Sequence, residues 1–92
     1  MSVKWVKCGA MPNPKYRVLR PISLRLSKYD DGWIAESYWL NDWGWGQSQS
    51  EAMLDFMRAL PGQYEVLSSN DIAPYLTVIL KRIKTYIEPR NK

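Results

Sequence analysis

Residues 28–60, KYDDGWIAESYWLNDWGWGQSQSEAMLDFMRAL, decide the fold. The stretch reads as the end of a strand, a tight turn, a second strand, a Gly/Trp-rich corner and a capped helix. Asp31-Gly32 is a hairpin signal, because a two-residue turn at positive φ suits Asp followed by Gly. Ser48-Gln49-Ser50-Glu51 has the form of a capping box, with Ser48 accepting from a first-turn N–H and Glu51 reaching back to the N–H of Ser48. Trp33 to Leu40 carries large side chains on both faces. Trp33, Ala35, Ser37 and Trp39 share one, while Ile34, Glu36, Tyr38 and Leu40 share the other. A strand apolar on both sides calls for cover on both sides, and in a chain of 92 residues the second cover is expected from another chain. Asn41 to Gln47 is a turn into a short third strand or corner, where Gly44 and Gly46 are expected to supply backbone freedom.

Upstream, Val3 to Cys8 alternates weakly, enough for a short strand. The prolines of Gly9–Lys15, GAMPNPK, mark a loop. Ile22, Leu24 and Leu26 alternate with Ser23, Arg25 and Ser27, so residues 16–28 read as one strand bent at Pro21. Downstream, Ala52, Met53, Phe56, Met57 and Leu60 form a helical stripe over 49–60, which Pro61-Gly62 is expected to end. Tyr64 to Ser68, YEVLS, suits a further strand. Ser69-Asn70-Asp71 offers caps for a second helix over 71–87, with Pro74 tolerable only in its first turn. Ile72, Leu76, Ile79, Ile83 and Ile87 mark its apolar face, and the tail from Pro89 is expected to fray. The expectation is a single α+β domain over 1–92. It has an antiparallel sheet of three to four strands, one helix packed on a face and a second, C-terminal helix.

Charge is segmented. Residues 1–28 hold seven basic groups and no acid, residues 29–71 hold eight acids against Arg58 alone, and residues 72–92 hold five basic groups against Glu88. Either the segments neutralise one another within the fold or between subunits, or the acidic middle faces a basic partner such as a nucleic-acid-binding enzyme.

Catalytic signals are missing from the sequence. It contains no histidine, which removes the commonest general base and the usual triads, and its one cysteine, Cys8, allows no intramolecular disulfide or Cys metal cluster. Asp30-Asp31 is turn chemistry rather than a metal site. Gly44-Trp45-Gly46-Gln47 lacks the Lys-Ser/Thr of a phosphate loop. The expectation is a chain that is not an enzyme, with no cofactor and no metal. The lone cysteine and the absence of a leader or a long apolar run point to the cytoplasm and away from the membrane. Tryptophans among acids suit core packing or a protein interface better than phosphate-bearing ligands. The candidate partner-binding residues are Trp39, Asp42, Trp43 and Trp45 at the corner and Ile79, Ile83 and Ile87 on the second helix. A competing reading is a small nucleic-acid-binding or regulatory module using Arg17, Arg20, Arg25, Lys81, Arg82 and Lys84, and a third is a homo-oligomeric structural protein.

Two motifs over about residues 16–68 carry a family resemblance. Asp31-Gly32-Trp33-Ile34-Ala35-Glu36 resembles the acidic-Gly-aromatic turn and strand of the HicB antitoxins. Gly46-Gln47-Ser48-Gln49-Ser50-Glu51-Ala52-Met53-Leu54 is similar to their Gly-Asp-Thr and Glu-Glu-Ala-Leu helix entry. Gln47 and Ser50 depart from that pattern, and tryptophans stand where the family has a Pro-Gly-Cys-like element. The resemblance implies a partial RNase-H-like core without catalytic acids; beyond it, the residues read as a C-terminal helix over 71–87 and a basic tail over 88–92. It implies binding to a cognate toxin, usually a small RNA-cleaving enzyme. Many of the family carry a further C-terminal DNA-binding domain, whereas only about 21 residues follow the core here. A homodimer or higher homo-oligomer is expected, and DNA binding is left open.

Overall fold

The computed structural model describes residues 3–69 and 71–90. Six strands and two helices follow in the order β1 (Val3–Cys8), β2 (Tyr16–Val18), β3 (Ile22–Tyr29), β4 (Gly32–Ser37), β5 (Asp42–Gly46), α1 (Gln49–Ser69), α2 (Pro74–Lys84) and β6 (Ile87–Pro89). The main sheet is antiparallel throughout, in the order β1-β3-β4-β5, and β2 pairs with β6 in a second, two-stranded sheet. The chain is α+β, as the alternation and helical stripes imply.

The period of two sorts each strand. Lys4, Val6 and Cys8 pair with Leu26, Leu24 and Ile22, and Leu26 pairs with Ala35, which in turn pairs with Gly44. Leu24, Leu26, Ala35 and Gly44 of this set lie under α1. Leu24, Leu26, Ala35, Ala52, Phe56, Met57 and Leu60 are all fully buried between sheet and helix. The tightest contact is at β5. A Cβ on Gly44 would overlap the Phe56 amide nitrogen and stand 2.8 Å from both the Ala52 carbonyl oxygen and the Phe56 Cα. On Gly46 it would stand 2.5 Å from the Ala52 nitrogen. Neither glycine has a positive φ. These residues are glycine because the helix backbone occupies the space of a side chain, and not for the backbone freedom expected of them.

The hairpin turn differs by one residue from expectation. Tyr29 pairs with Gly32, so the turn is Asp30-Asp31 and Gly32 is the first residue of β4. Gly32 is not at positive φ; a Cβ there would stand 2.7 Å from the Gly46 carbonyl and 2.9 Å from the Trp45 ring. The strand expected to reach Leu40 stops at Ser37. The Ser37 hydroxyl accepts from the Leu40 N–H at 3.0 Å, and Asn41, at φ 57°, turns the chain into β5.

The 16–28 stretch is two strands rather than one bent strand. Pro21 has no N–H to give a ladder, and the chain changes sheets there, with the Leu19 N–H donating to the Tyr86 carbonyl at 2.6 Å. Helix α1 continues through Pro61 to Ser69, so 64–68 is helix and not strand. An interior proline costs about 3 kcal/mol, which the packing beyond it offsets. Pro61 and Leu67 are buried. The Gln63 side chain donates to the Leu40 and Asn41 carbonyls at 3.1 and 3.3 Å. Tyr64 packs edge-on against Tyr16 with centroids 5.6 Å apart, and the Tyr16 hydroxyl donates to Glu65 at 2.8 Å. Burial, and then that hydrogen bond to Glu65, push the Tyr16 phenol up to about 12, so it stays a neutral donor.

At the start of α1 the Glu51 N–H donates to Ser48 Oγ at 3.1 Å, as a capping box requires. Glu51 Oε1, however, accepts from the Gln47 N–H, one residue short of the expected Ser48. Helix α2 is shorter than 71–87. Ala73 is its N-cap without a side-chain cap bond, Pro74 lies in the first turn, and Ile87 belongs to β6. Of the residues offered as its caps, Ser69 ends α1 and Asn70 lies outside the described residues. The tail does not fray at Pro89. Pro89 pairs with Tyr16, and the Arg90 N–H donates to the Lys15 carbonyl at 2.7 Å. Residues 91 and 92 of that tail lie outside the described residues.

Gly44→Ala is expected to cost about 3 kcal/mol or more, because its methyl meets helix backbone that cannot swing aside. Gly62→Ala, in open space on the same helix, is expected to gain roughly 0.5–1 kcal/mol. Urea unfolding of the two variants measures both, and equal effects would contradict the close-approach account.

Candidate functional site

The strand residues that alternate with the core set form the other face of the main sheet, and neither helix is among the elements packed on it. Two cross-strand rows run across all four strands, Val3, Ser27, Ile34 and Trp45, then Trp5, Arg25, Glu36 and Trp43, and Lys7 with Ser23 extends the face beyond them. Trp5 is 65%, Trp43 62% and Trp45 42% exposed. The pairing places these side chains on one surface because Trp and Gly alternate in DWGWG: the glycines admit α1 and the indoles go to the opposite side. Cover on both sides of β4, expected from its two apolar faces, is present on one side within the chain.

At the centre Arg25 Nη1 bonds Glu36 Oε1 at 3.1 Å, with both side chains largely shielded. The pair neutralises the middle of the face, so an apolar surface laid over it meets no lone charge. Ser27 beside it is fully buried, and its hydroxyl has no hydrogen-bond partner.

The β5 edge is closed. The N–H groups that turn away from β4, those of Trp43 and Trp45, are taken by Asp42 Oδ1 and Asp55 Oδ2, each at 2.9 Å, and the next in line, that of Gln47, by Glu51 Oε1 at 2.8 Å. Carboxylates thus occupy the donors that an added strand would need. They also line this edge with negative charge beside the Trp43 and Trp45 indoles. Asp42 itself lies on the helix side, near Gly62 and Gln63. Its Oδ2 is buried without a partner, and burial raises the carboxyl above its ordinary value against the lowering effect of the Trp43 N–H, with Asp55 adding repulsion.

The remaining candidates are scattered. Trp39 is not on the sheet face but in the turn after β4, where the Arg82 guanidinium lies 3.8 Å from its ring centroid and donates to its carbonyl at 3.2 Å. Ile83 and Ile87 are wholly buried in the chain's own core and Ile79 is partly buried against it. Helix α2 folds back on α1, so its isoleucine stripe covers this chain rather than waiting for a partner. Among the basic candidates, Arg17 is paired with Glu88 and Arg25 with Glu36, Arg20 lies over Tyr86, and Lys81 and Lys84 are exposed on α2. Sequence reasoning missed Val3, Trp5 and Ile34 as surface residues. The alternation of β1 gave their phase, but only the pairing of β1 with β3 puts Trp5 in one row with Trp43.

Among the described residues no group of three metal-ligating side chains comes together, and no helix is long and apolar enough to cross a membrane. No family model, curated protein or solved structure matches the chain.

The raised carboxyl of Asp42 carries a pH signature. The folded chain holds this proton to higher pH than the unfolded chain, so the contribution of Asp42 to stability falls as pH rises from the ordinary carboxylate range through its raised value. Asp42→Asn is expected to gain on the parent across that window and to show no further change above it. Urea titrations at pH 3 to 7 test this, and a difference that stays constant with pH would refute it.

Proposed function

We propose that this chain is a non-enzymatic, antitoxin-like binding protein that neutralises a basic, RNA-cleaving toxin by laying the open face of its sheet over it. The observation that supports this is the Trp43–Trp45 end of that face, where two exposed indoles stand beside an edge lined by Asp42, Asp55 and Glu51. Indoles are the side chains most often found at the energetic centre of protein interfaces. Acidic groups at the rim speed encounter with a basic surface and disfavour acidic competitors. The closed edge favours docking on the face over strand addition. The resemblance of the Asp31–Glu36 strand and the Gly46–Leu54 helix entry to the HicB antitoxins supplies the class of partner. In this reading the chain acts in the cytoplasm, and the uncovered face also supports a homodimer of the free chain that the toxin displaces.

The test is co-expression with the protein encoded beside this chain, following growth, RNA integrity and complex formation. The parent is expected to protect the cells. Trp43→Ala and Trp45→Ala are each expected to weaken the complex by about 2 kcal/mol, roughly 30-fold, with the isolated chain still folded. A neighbour whose toxicity is unrelieved and which forms no complex removes the proposal.

A further inference from the structure

Where β4 gives way to the 38–41 turn, a cleft of about 210 Å³ opens among Trp5, Tyr38, Trp39 and Tyr86, with Ser23 and Ser37 in its wall; Ser37 pairs with Asp42, whose side chain lies on the helix side of the sheet. Its volume is below that of most drug-sized sites and suits one flat ring. Four aromatic side chains from four places in the chain meet here: β1, two successive positions of the 38–41 turn, and the segment between α2 and β6. Tyr38 is 73% and Trp39 55% exposed, so rings that would ordinarily be buried are held open at a concave surface.

Guanidinium groups lie against three of the cleft's four rings. Arg20 stands 5.1 Å from the centroid of Tyr86, Arg82 stands 3.8 Å from that of Trp39, and Arg25 Nη1 is 3.5 Å from the Tyr38 hydroxyl. Arg25 is shared with Glu36, but neither Arg20 nor Arg82 is in an ion pair among the described residues. Lys7 adds a further cation, since it pairs across the ladder with Ser23 of the cleft wall. No carboxylate is among the lining residues. Stacking surfaces inside and unpaired arginines at the rim are the two components of a single-strand nucleic-acid site: rings accept a base, and cations meet the phosphates on either side of it.

We propose that this cleft binds single-stranded nucleic acid, one base entering among Trp5, Tyr38 and Trp39 while Arg20 and Arg82 hold the flanking phosphates. Trp43 and Trp45 do not line this cleft; they stand beside the edge where Asp55 and Glu51 disfavour a phosphate chain. It gives Arg20, Arg25 and Arg82 a common purpose that their positions in the sequence do not suggest. A protein partner is the less suited occupant, because its carboxylates would have to match several arginines while an aromatic side chain filled the cup.

The full chain is titrated with fluorescein-labelled oligouridylate, oligothymidylate and a duplex DNA of equal length, at two salt concentrations, by anisotropy and tryptophan quenching. Expected is binding of a single strand with quenching, and weaker binding of the duplex; the RNA and DNA arms show which sugar is preferred. Trp5→Ala and Tyr38→Ala, both at exposed positions, are expected to weaken it about tenfold, in line with the loss of a stacked base. Arg20→Gln is expected to lower the slope of log K against log salt by about 0.7, one phosphate contact. Tyr75→Ala, an exposed aromatic near the other end of α2, is the control and is expected to change nothing. Three results would each overturn the proposal. One is no single-strand binding at the lower salt. Another is duplex binding as tight as single-strand binding. The third is Trp5→Ala and Tyr38→Ala variants that bind RNA normally but fail to bind a protein partner, which would assign the cleft to that partner.

Discussion

The structure depends on how closely α1 approaches β5. At Gly44 and Gly46 the helix backbone lies where side chains would be, and this contact sets the register of everything outside it. It brings Asp55 and Glu51 within bonding distance of the outward N–H groups of β5, which a helix held away by a Cβ could not reach. It also brings Ala52, Phe56 and Met57 into one buried cluster with Ala35, Leu24 and Leu26. Large side chains at 44 or 46 would lift the helix and undo the edge and the core together.

The same alternation that admits the helix exposes the tryptophans. Strand side chains point to opposite faces in turn, so a strand with glycine at every second position on one side has all its side-chain bulk on the other. In DWGWG that bulk is two indoles. Exposed large aromatics in a contiguous patch are uncommon on a surface that only meets water. Their cost is incurred where the helix contact fixes their direction, and a covering surface recovers it. The unpartnered hydroxyl of Ser27 and the internally compensated Arg25–Glu36 pair belong to the same face.

Much of this was legible in the residues, and the failures have physical causes. The alternation at Ile22–Leu26 and the stripe at Ala52–Leu60 gave strand and helix because local periodicity and tertiary packing agree there. Pro61-Gly62 misled because helix-breaking chemistry is a local cost of a few kcal/mol, and the contacts of Gln63, Tyr64, Glu65 and Leu67 with distant parts of the chain outweigh it. No local signal carries such contacts. The pairing of β2 with β6 joins segments about 70 residues apart and was invisible for the same reason. Gly32, Gly44 and Gly46 were recognised as special but for the wrong property: sequence shows the absence of a side chain, and only packing shows whether the reason is φ or space. At the site, Trp43 and Trp45 were readable from composition, whereas the aromatic cleft was not, since its rings are contributed at 5, 38, 39 and 86.

Charge segmentation along the chain becomes charge separation in space, and this bears on which of the two sequence readings of it applies. Neutralisation within the fold accounts for Arg17 with Glu88 and Arg25 with Glu36. It does not account for the acids of the middle segment that are committed to backbone N–H groups of β5, nor for Arg20 and Arg82, which lie on rings instead of carboxylates. An N–H donor leaves most of a carboxylate's charge uncompensated, and a ring face compensates a guanidinium only in part. The chain therefore keeps acids along β5 and guanidinium groups against the rings of the cleft, on neighbouring parts of one sheet. Within 92 residues those charges could have been placed to cancel. Neutralisation within the fold therefore accounts for only part of the segmentation.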